Sequence, residues 1–222
     1  MLGLEKRRQK KMTSAPLVHD ELRAATRAIH ARLHRHPGLA RAARGAIGLD
    51  DYRQLLMRLY GFHQAFEDVS ASARRSLNLA AGSRAELIAL DLAALGTLRS
   101  DVSRLPLCAL RQPSDDAAAL GALYVVEGSA LGGALIAEAL APVVGEARRF
   151  FLGRPTGRDI WPSLLARVET LAPGEQRASA VTTAVETFEI FEEWMRDWRA
   201  ESSCVAGVPI EAKRQTSGGV PP

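Results

Sequence analysis

The stretch from Leu120 to Leu140, LGALYVVEGSALGGALIAEAL, constrains the fold more than any other part of the chain. It is apolar enough to demand burial and helical in its residue preferences, yet Gly121, Gly128, Gly132 and Gly133 interrupt it. An interior glycine costs about 0.8–1 kcal/mol relative to alanine, so Gly128, Gly132 and Gly133 together forfeit roughly 3 kcal/mol. A helix that keeps them must use the missing side chains. A large flat ligand can lie against backbone bare of Cβ atoms, with a kink turning peptide groups into the pocket. Two helices of a soluble bundle can instead cross closely at Gly128 and Gly132, or the helix can simply break at Gly128-Ser129. A membrane span would use the same spacing for a GxxxG contact. Glu127 near its middle would then cost about 2.5–3.5 kcal/mol on insertion scales, which disfavours that reading. Glycine spacing alone does not choose between a ligand surface and close packing.

Helical periodicity governs the rest of the chain. Val18, Leu22, Ala25, Ile29 and Leu33 recur at spacings of three and four and stop before Pro37-Gly38. A second pattern starts at Asp50, read as a cap, and runs through Tyr52, Leu55, Leu56, Leu59, Phe62, Phe66 and Val69. Ser83 and Glu86 form a capping box for a helix expected to bury Leu87, Leu90, Ala94 and Leu98. Another helix follows Pro113-Ser114, Thr156 and Asp159 form a second box, and a last helix carries Val181, Val185, Phe188, Phe191, Trp194 and Trp198. No segment alternates apolar and polar residues as a strand does. The reading is an all-α, single-domain helical bundle over 14–200. Residues 1–13 are expected to be a disordered basic leader and 201–222 a disordered tail.

The formal charge of +4 does not point to an acidic partner, because Lys6, Arg7, Arg8, Lys10 and Lys11 against Glu5 account for all of it. A short terminal run of this kind is ordinarily solvated, so no nucleic-acid partner is expected. Cys108 and Cys204 lie far apart without metal-ligand spacing, and no signal-peptide pattern is present, so a cytoplasmic protein is expected. Among the histidines, His30 lies at the margin of the first helix's apolar stripe, where a neutral imidazole could bind a metal. His19, His34, His36 and His63 compete with it. His30 and His34 at i, i+4 could share a metal, but without a glutamate base in that turn a zinc hydrolase is weakly supported.

Two segments taken together, LRAATRAIHARL around His30 and LYVVEGSALGGALI around Gly128, resemble the proximal and distal heme helices of heme oxygenases. The distal string is most similar to the bacterial, biliverdin-producing branch associated with bacteriophytochromes, and FFLGRPTGRDIW follows in the expected order. The resemblance implies heme held between the first helix and a kinked glycine-rich helix, with His30 as iron ligand. Gly128, Ser129, Gly132 and Gly133 would face the macrocycle and act in catalysis by admitting and steering dioxygen. Arg23 and Arg27 would meet the heme propionates, with Tyr124 and Arg158 as further candidates at that edge.

The implied reaction opens heme to biliverdin, carbon monoxide and iron, using O2 and electrons from an external reductase or ferredoxin, with a bacteriophytochrome as a candidate acceptor of the bilin. The sequence departs from the family at two positions. Ser129 stands where mammalian members carry a distal aspartate, and His34 stands one turn past the proximal histidine where many relatives carry an acidic residue. Loss of that carboxylate should weaken or retune the iron bond. The alternative in a different class is a non-catalytic protein of the same fold that binds, buffers or senses heme; thiaminase-like relatives lack the pairing of His30 with the glycine string.

Overall fold

Val18, Leu22, Thr26, Ile29 and Leu33 share one buried face, and that stripe makes the first element, α1 (Val18–Arg35). The computed structural model describes residues 17–79, 82–153, 160–196 and 198. The expected leader and tail, the Thr156–Asp159 box, Arg158 and Cys204 lie outside these residues. Pro37 ends α1 as expected, but it also opens α2 (Pro37–Ala43) at its first turn, where a missing N–H is harmless. Gly38 lies so close to Trp198 that a Cβ would stand 1.1 Å from the indole ring.

α3 (Leu49–Ser76) begins one residue before Asp50, after Gly48 as N-cap. Asp50 is therefore in the first turn, pairing with Arg53 at 2.6 Å, rather than the cap itself. α4 (Arg84–Ala94) has Ser83 as N-cap, accepting from the Glu86 N–H at 2.9 Å, as the capping box requires. Glu67 of α3 adds a second cap by accepting the Arg84 and Ala85 N–H groups at 2.6 and 3.0 Å.

The buried face of α4 is not the expected one. Ala85, Ile88, Asp91 and Leu92 face inward, whereas Leu90 and Leu98 are 48% and 65% exposed, Leu87 is half-buried and Ala94 is exposed. Apolar residues surround this helix, so its own pattern does not select a face. Asp91 does: its carboxylate accepts the N–H groups of Arg149 and Phe150 at 3.0 and 2.9 Å, capping α8 (Arg149–Leu152).

α5 (Arg99–Val102) leads to α6 (Asp116–Gly128), capped by Asp115, whose carboxylate accepts from the Ala118 N–H at 2.8 Å. A 3-10 turn, Ser129–Gly132, separates α6 from α7 (Gly133–Val144). Together Asp116–Val144 are long and apolar enough to cross a membrane, but half of the most apolar window is buried inside the bundle and Glu127 is paired there with Arg74. α9 (Ile160–Val168) and α10 (Glu175–Arg196) complete the described helices, and no strand occurs among the described residues. Two apolar clusters form the core. One joins α1, α6, α9 and α10 to Phe62 and Phe66 of α3. The other joins α4 and α7 to Tyr52, Leu55, Leu56 and Leu59 of the same helix.

α1 has no local side-chain cap. Glu169, just past α9, supplies one from across the fold by accepting the Val18 and His19 N–H groups at 2.9 and 3.1 Å and the His19 ring at 2.7 Å. Partial burial alone would raise this carboxyl, but the two N–H groups and the ring outweigh it and hold its pKa below the usual glutamate value. A depressed carboxylate contributes stability that is complete above the unfolded pKa and is lost as pH falls through the folded one. Glu169→Gln should lower stability by about 0.5–2 kcal/mol at neutral pH. In urea titrations it should also flatten the decline below pH ~4.3, the unfolded glutamate value. An unchanged slope there would refute the cap.

Candidate functional site

The two core clusters do not close against each other everywhere. Between them lies a cavity of about 600 Å³, within the roughly 300–1,000 Å³ of small-molecule sites. His30, Leu33 and His34 of α1 form one wall; Gly128, Ser129, Leu131, Gly132 and Gly133 form the facing one. His63, Arg84 and Phe150 line it as well.

His30 reaches the cavity from an exposed position at its mouth, edge-on to Phe188 with ring centres 6.0 Å apart. Its pKa is lowered, first by partial burial and then by the neighbouring His34, so the neutral imidazole is favoured. His34 Nε2 lies 3.3 Å from His30 Nε2. Of the competing histidines, His19 is engaged by Glu169 and His36 by the Met195 carbonyl at 3.0 Å. Arg23 and Arg27 stand exposed on α1, outside the cavity wall. Tyr124 is also outside it, half-buried against Trp161 with its hydroxyl 3.4 Å from the His19 carbonyl.

The glycines divide by what a side chain would meet. A Cβ on Gly121 would stand 2.0 Å from the Ala180 carbonyl oxygen of α10, and one on Gly133 would stand 2.3 Å from that of Phe151. These two allow close packing. Gly128 faces Trp161 at 3.1 Å, an intermediate case. At Gly132 a Cβ would meet nothing within 4 Å, so its bare backbone opens onto the cavity. The close crossing that the sequence allowed at Gly128 and Gly132 thus falls instead at Gly121 and Gly133. Ser129 donates its hydroxyl proton to the Val126 carbonyl at 2.7 Å, which leaves only oxygen lone pairs for another partner.

Sequence reasoning raised His63 only as a competing ligand and did not place Arg84 in this wall or the Arg74–Glu127 pair near it. His63 is buried, and burial, then Arg84 and Arg74, push its pKa well below the usual value, so it is a neutral ring. Arg84 is half-buried, lies 4.8 Å over the Phe150 ring and donates to the Val126 carbonyl at 3.2 Å, while its Nε is covered and has no hydrogen-bond partner. Arg74 and Glu127 form an ion pair of 2.7 Å at 14% and 8% exposure. Two signals were present. His63 follows Leu59 by four residues on the apolar face of α3, and a carboxylate such as Glu127 inside an apolar helix needs a buried cation. Arg84 carried no such signal, because position one of a helix suits almost any residue.

The sequence matches the family described as Heme oxygenase over residues 17–197. The fold is similar to that of the NO- and CO-bound heme oxygenase from Neisseria meningitidis, with a TM-score of 0.63 and 21% identity, covering 83% of this chain and 92% of that one. It is also similar to heme oxygenase-1 from the cyanobacterium Synechocystis in complex with heme, with a TM-score of 0.63 and 14% identity, covering 84% of this chain and 94% of that one. No curated protein matches the sequence. The expected all-α, heme oxygenase-like bundle is the fold observed.

The division among the glycines is measurable. Gly133→Ala should destabilise by about 1–3 kcal/mol, because Phe151 backbone must move. Gly132→Ala should be neutral or stabilise by up to about 1 kcal/mol, the helix-propensity gain. Equal urea midpoints for the two variants would contradict this assignment.

Proposed function

This chain belongs to the heme oxygenase family, and we propose that it binds heme through His30 and opens the porphyrin ring to biliverdin, carbon monoxide and iron. The observation that carries this reading is a cavity with an available imidazole on one side, side-chain-free backbone at Gly132 on the other, and an unpartnered buried guanidinium nitrogen in its wall. These groups fit a flat, largely apolar macrocycle whose iron would be held by His30. When bound, heme supplies the iron that activates O2 for attack on its own ring, with electrons from an external reductase or ferredoxin.

The chain's own residues then bind, shield and move protons. His30 would hold the iron through a ring nitrogen. Leu33, Phe150 and Phe188 make the surroundings apolar and exclude bulk water, which strengthens every polar contact inside. Arg84 holds a cation in the cavity wall, tied to the Val126 carbonyl through one terminal nitrogen. His63, kept neutral, carries one N–H and one lone pair and so can pass a proton along a water chain without charging. Ser129 enters such a chain as an acceptor. Arg23 and Arg27, with Tyr124 and Arg158, are the proposed partners of the propionates where these leave the cavity. The protein acts in the cytoplasm on this reading, and its bilin suits a bacteriophytochrome of the branch that the distal string resembles.

One observation favours a heme-holding protein that does not open the ring: His34, rather than a carboxylate, adjoins His30. Titration with hemin followed by reductant and air separates the readings. A sharp Soret band, lost or shifted in His30→Ala, is expected first. Decay of that band with growth of red-absorbing bilin means catalysis, whereas a stable reduced spectrum means storage. His63→Leu should keep the ligation spectrum and slow bilin formation by about 10²-fold or more. An unchanged rate would remove His63 from the proton path.

A further inference from the structure

His30 and His34 are both exposed at the cavity mouth, one helical turn apart, with their Nε2 atoms 3.3 Å from each other. A hydrogen bond between the rings uses one proton and gives each imidazole one partner. The same separation suits a metal ion once the rings, whose centres lie 4.4 Å apart, turn about their side-chain bonds to aim both lone pairs at one point. With Zn–N bonds of about 2.0–2.1 Å, a cation bridging nitrogens 3.3 Å apart subtends about 105–110°, close to the tetrahedral angle. We propose that in the heme-free protein His30 and His34 chelate a divalent transition cation of the zinc class through their Nε2 atoms.

The chemistry of the pair selects the ligand. Two neutral imidazoles favour zinc, copper or nickel over the hard ions calcium and magnesium, which take oxygen donors. Among the described residues no third histidine, cysteine or carboxylate joins them, so water completes the coordination and the site stays open. Arg32, between the two in sequence, is turned away and held by Glu192 at 2.7 Å. A cation on this pair occupies His30 Nε2 and withholds that nitrogen from heme iron. The metal site stands on the imidazole geometry alone; only this exclusion of heme rests on the function proposed above.

The test is a zinc titration of the heme-free full-length protein by calorimetry, repeated on His34→Ala, His34→Gln and His19→Ala. A site weakened at least tenfold in both His34 variants and unchanged in His19→Ala is the expected result. The glutamine variant matters because it can still hydrogen-bond His30 but supplies no imidazole. Equal affinity in either His34 variant, or a loss confined to His19→Ala, overturns the proposal. Bound zinc should also weaken hemin uptake by the wild type at least tenfold and leave that of His34→Ala unaffected; hemin uptake indifferent to zinc overturns the shared nitrogen. Hemin binding without a zinc site sinks this inference alone. Zinc binding without any hemin uptake sinks the porphyrin reading and leaves the cation site standing.

Discussion

The break between α6 and α7 is the constraint from which the cavity follows. A straight helix from Asp116 to Val144 would present one continuous face, and a single core would close along it. The 3-10 turn at Ser129–Gly132 instead sends α6 into one apolar cluster and Leu140 and Val144 of α7 into the other. α3 bridges them, giving Phe62 and Phe66 to the first and Tyr52 to Leu59 to the second. The seam cannot be filled without lengthening side chains at the turn, and the turn is where the chain has glycine. A mid-helix 3-10 segment often marks a functional hinge, and here it sets the cavity wall.

Packing and access are separated residue by residue in that glycine string. Gly121 and Gly133 are tied to neighbouring backbone, which fixes α6 against α10 and α7 against α8. With those anchors set, Gly132 is free to leave open space. The same economy appears at α8, a helix of one turn whose N–H groups would be unsatisfied without Asp91. Asp91 therefore sets the rotation of α4 and the position of Phe150, and Phe150 in turn covers Arg84.

Charge beside the cavity is arranged rather than stabilising. The Arg74–Glu127 pair loses hydration on both sides, and pairs so buried contribute little net stability even though breaking one is expensive. What the arrangement gives is a fixed electrostatic environment: burial, and then the guanidinium groups of Arg84 and Arg74, hold His63 neutral, and one donor of Arg84 is left without a partner. Groups that are oriented before a reaction need no reorganisation during it, which is the physical content of assigning them to the proton path.

Much was legible in the chain itself. Periodicity in α1, α3 and α10 depends only on which residues avoid water, and capping at Ser83 depends on residues three apart, so both follow from local order. The glycine string could be singled out because it breaks a local rule, whereas His30 stood out from the other histidines only through the resemblance of its helix to a heme-binding one. The inward face of α4, the division of labour among Gly121, Gly128, Gly132 and Gly133, and the convergence of His63 and Arg84 beneath the turn were settled only by tertiary structure. Each depends on a partner more than fifteen residues away: Asp91 on the start of α8, Gly121 on Ala180, Arg84 on the Val126 carbonyl. Local sequence decides where helices form, because their hydrogen bonds close within four residues. Which atoms line a cavity depends on how those helices then dock, and that depends on contacts no local pattern contains.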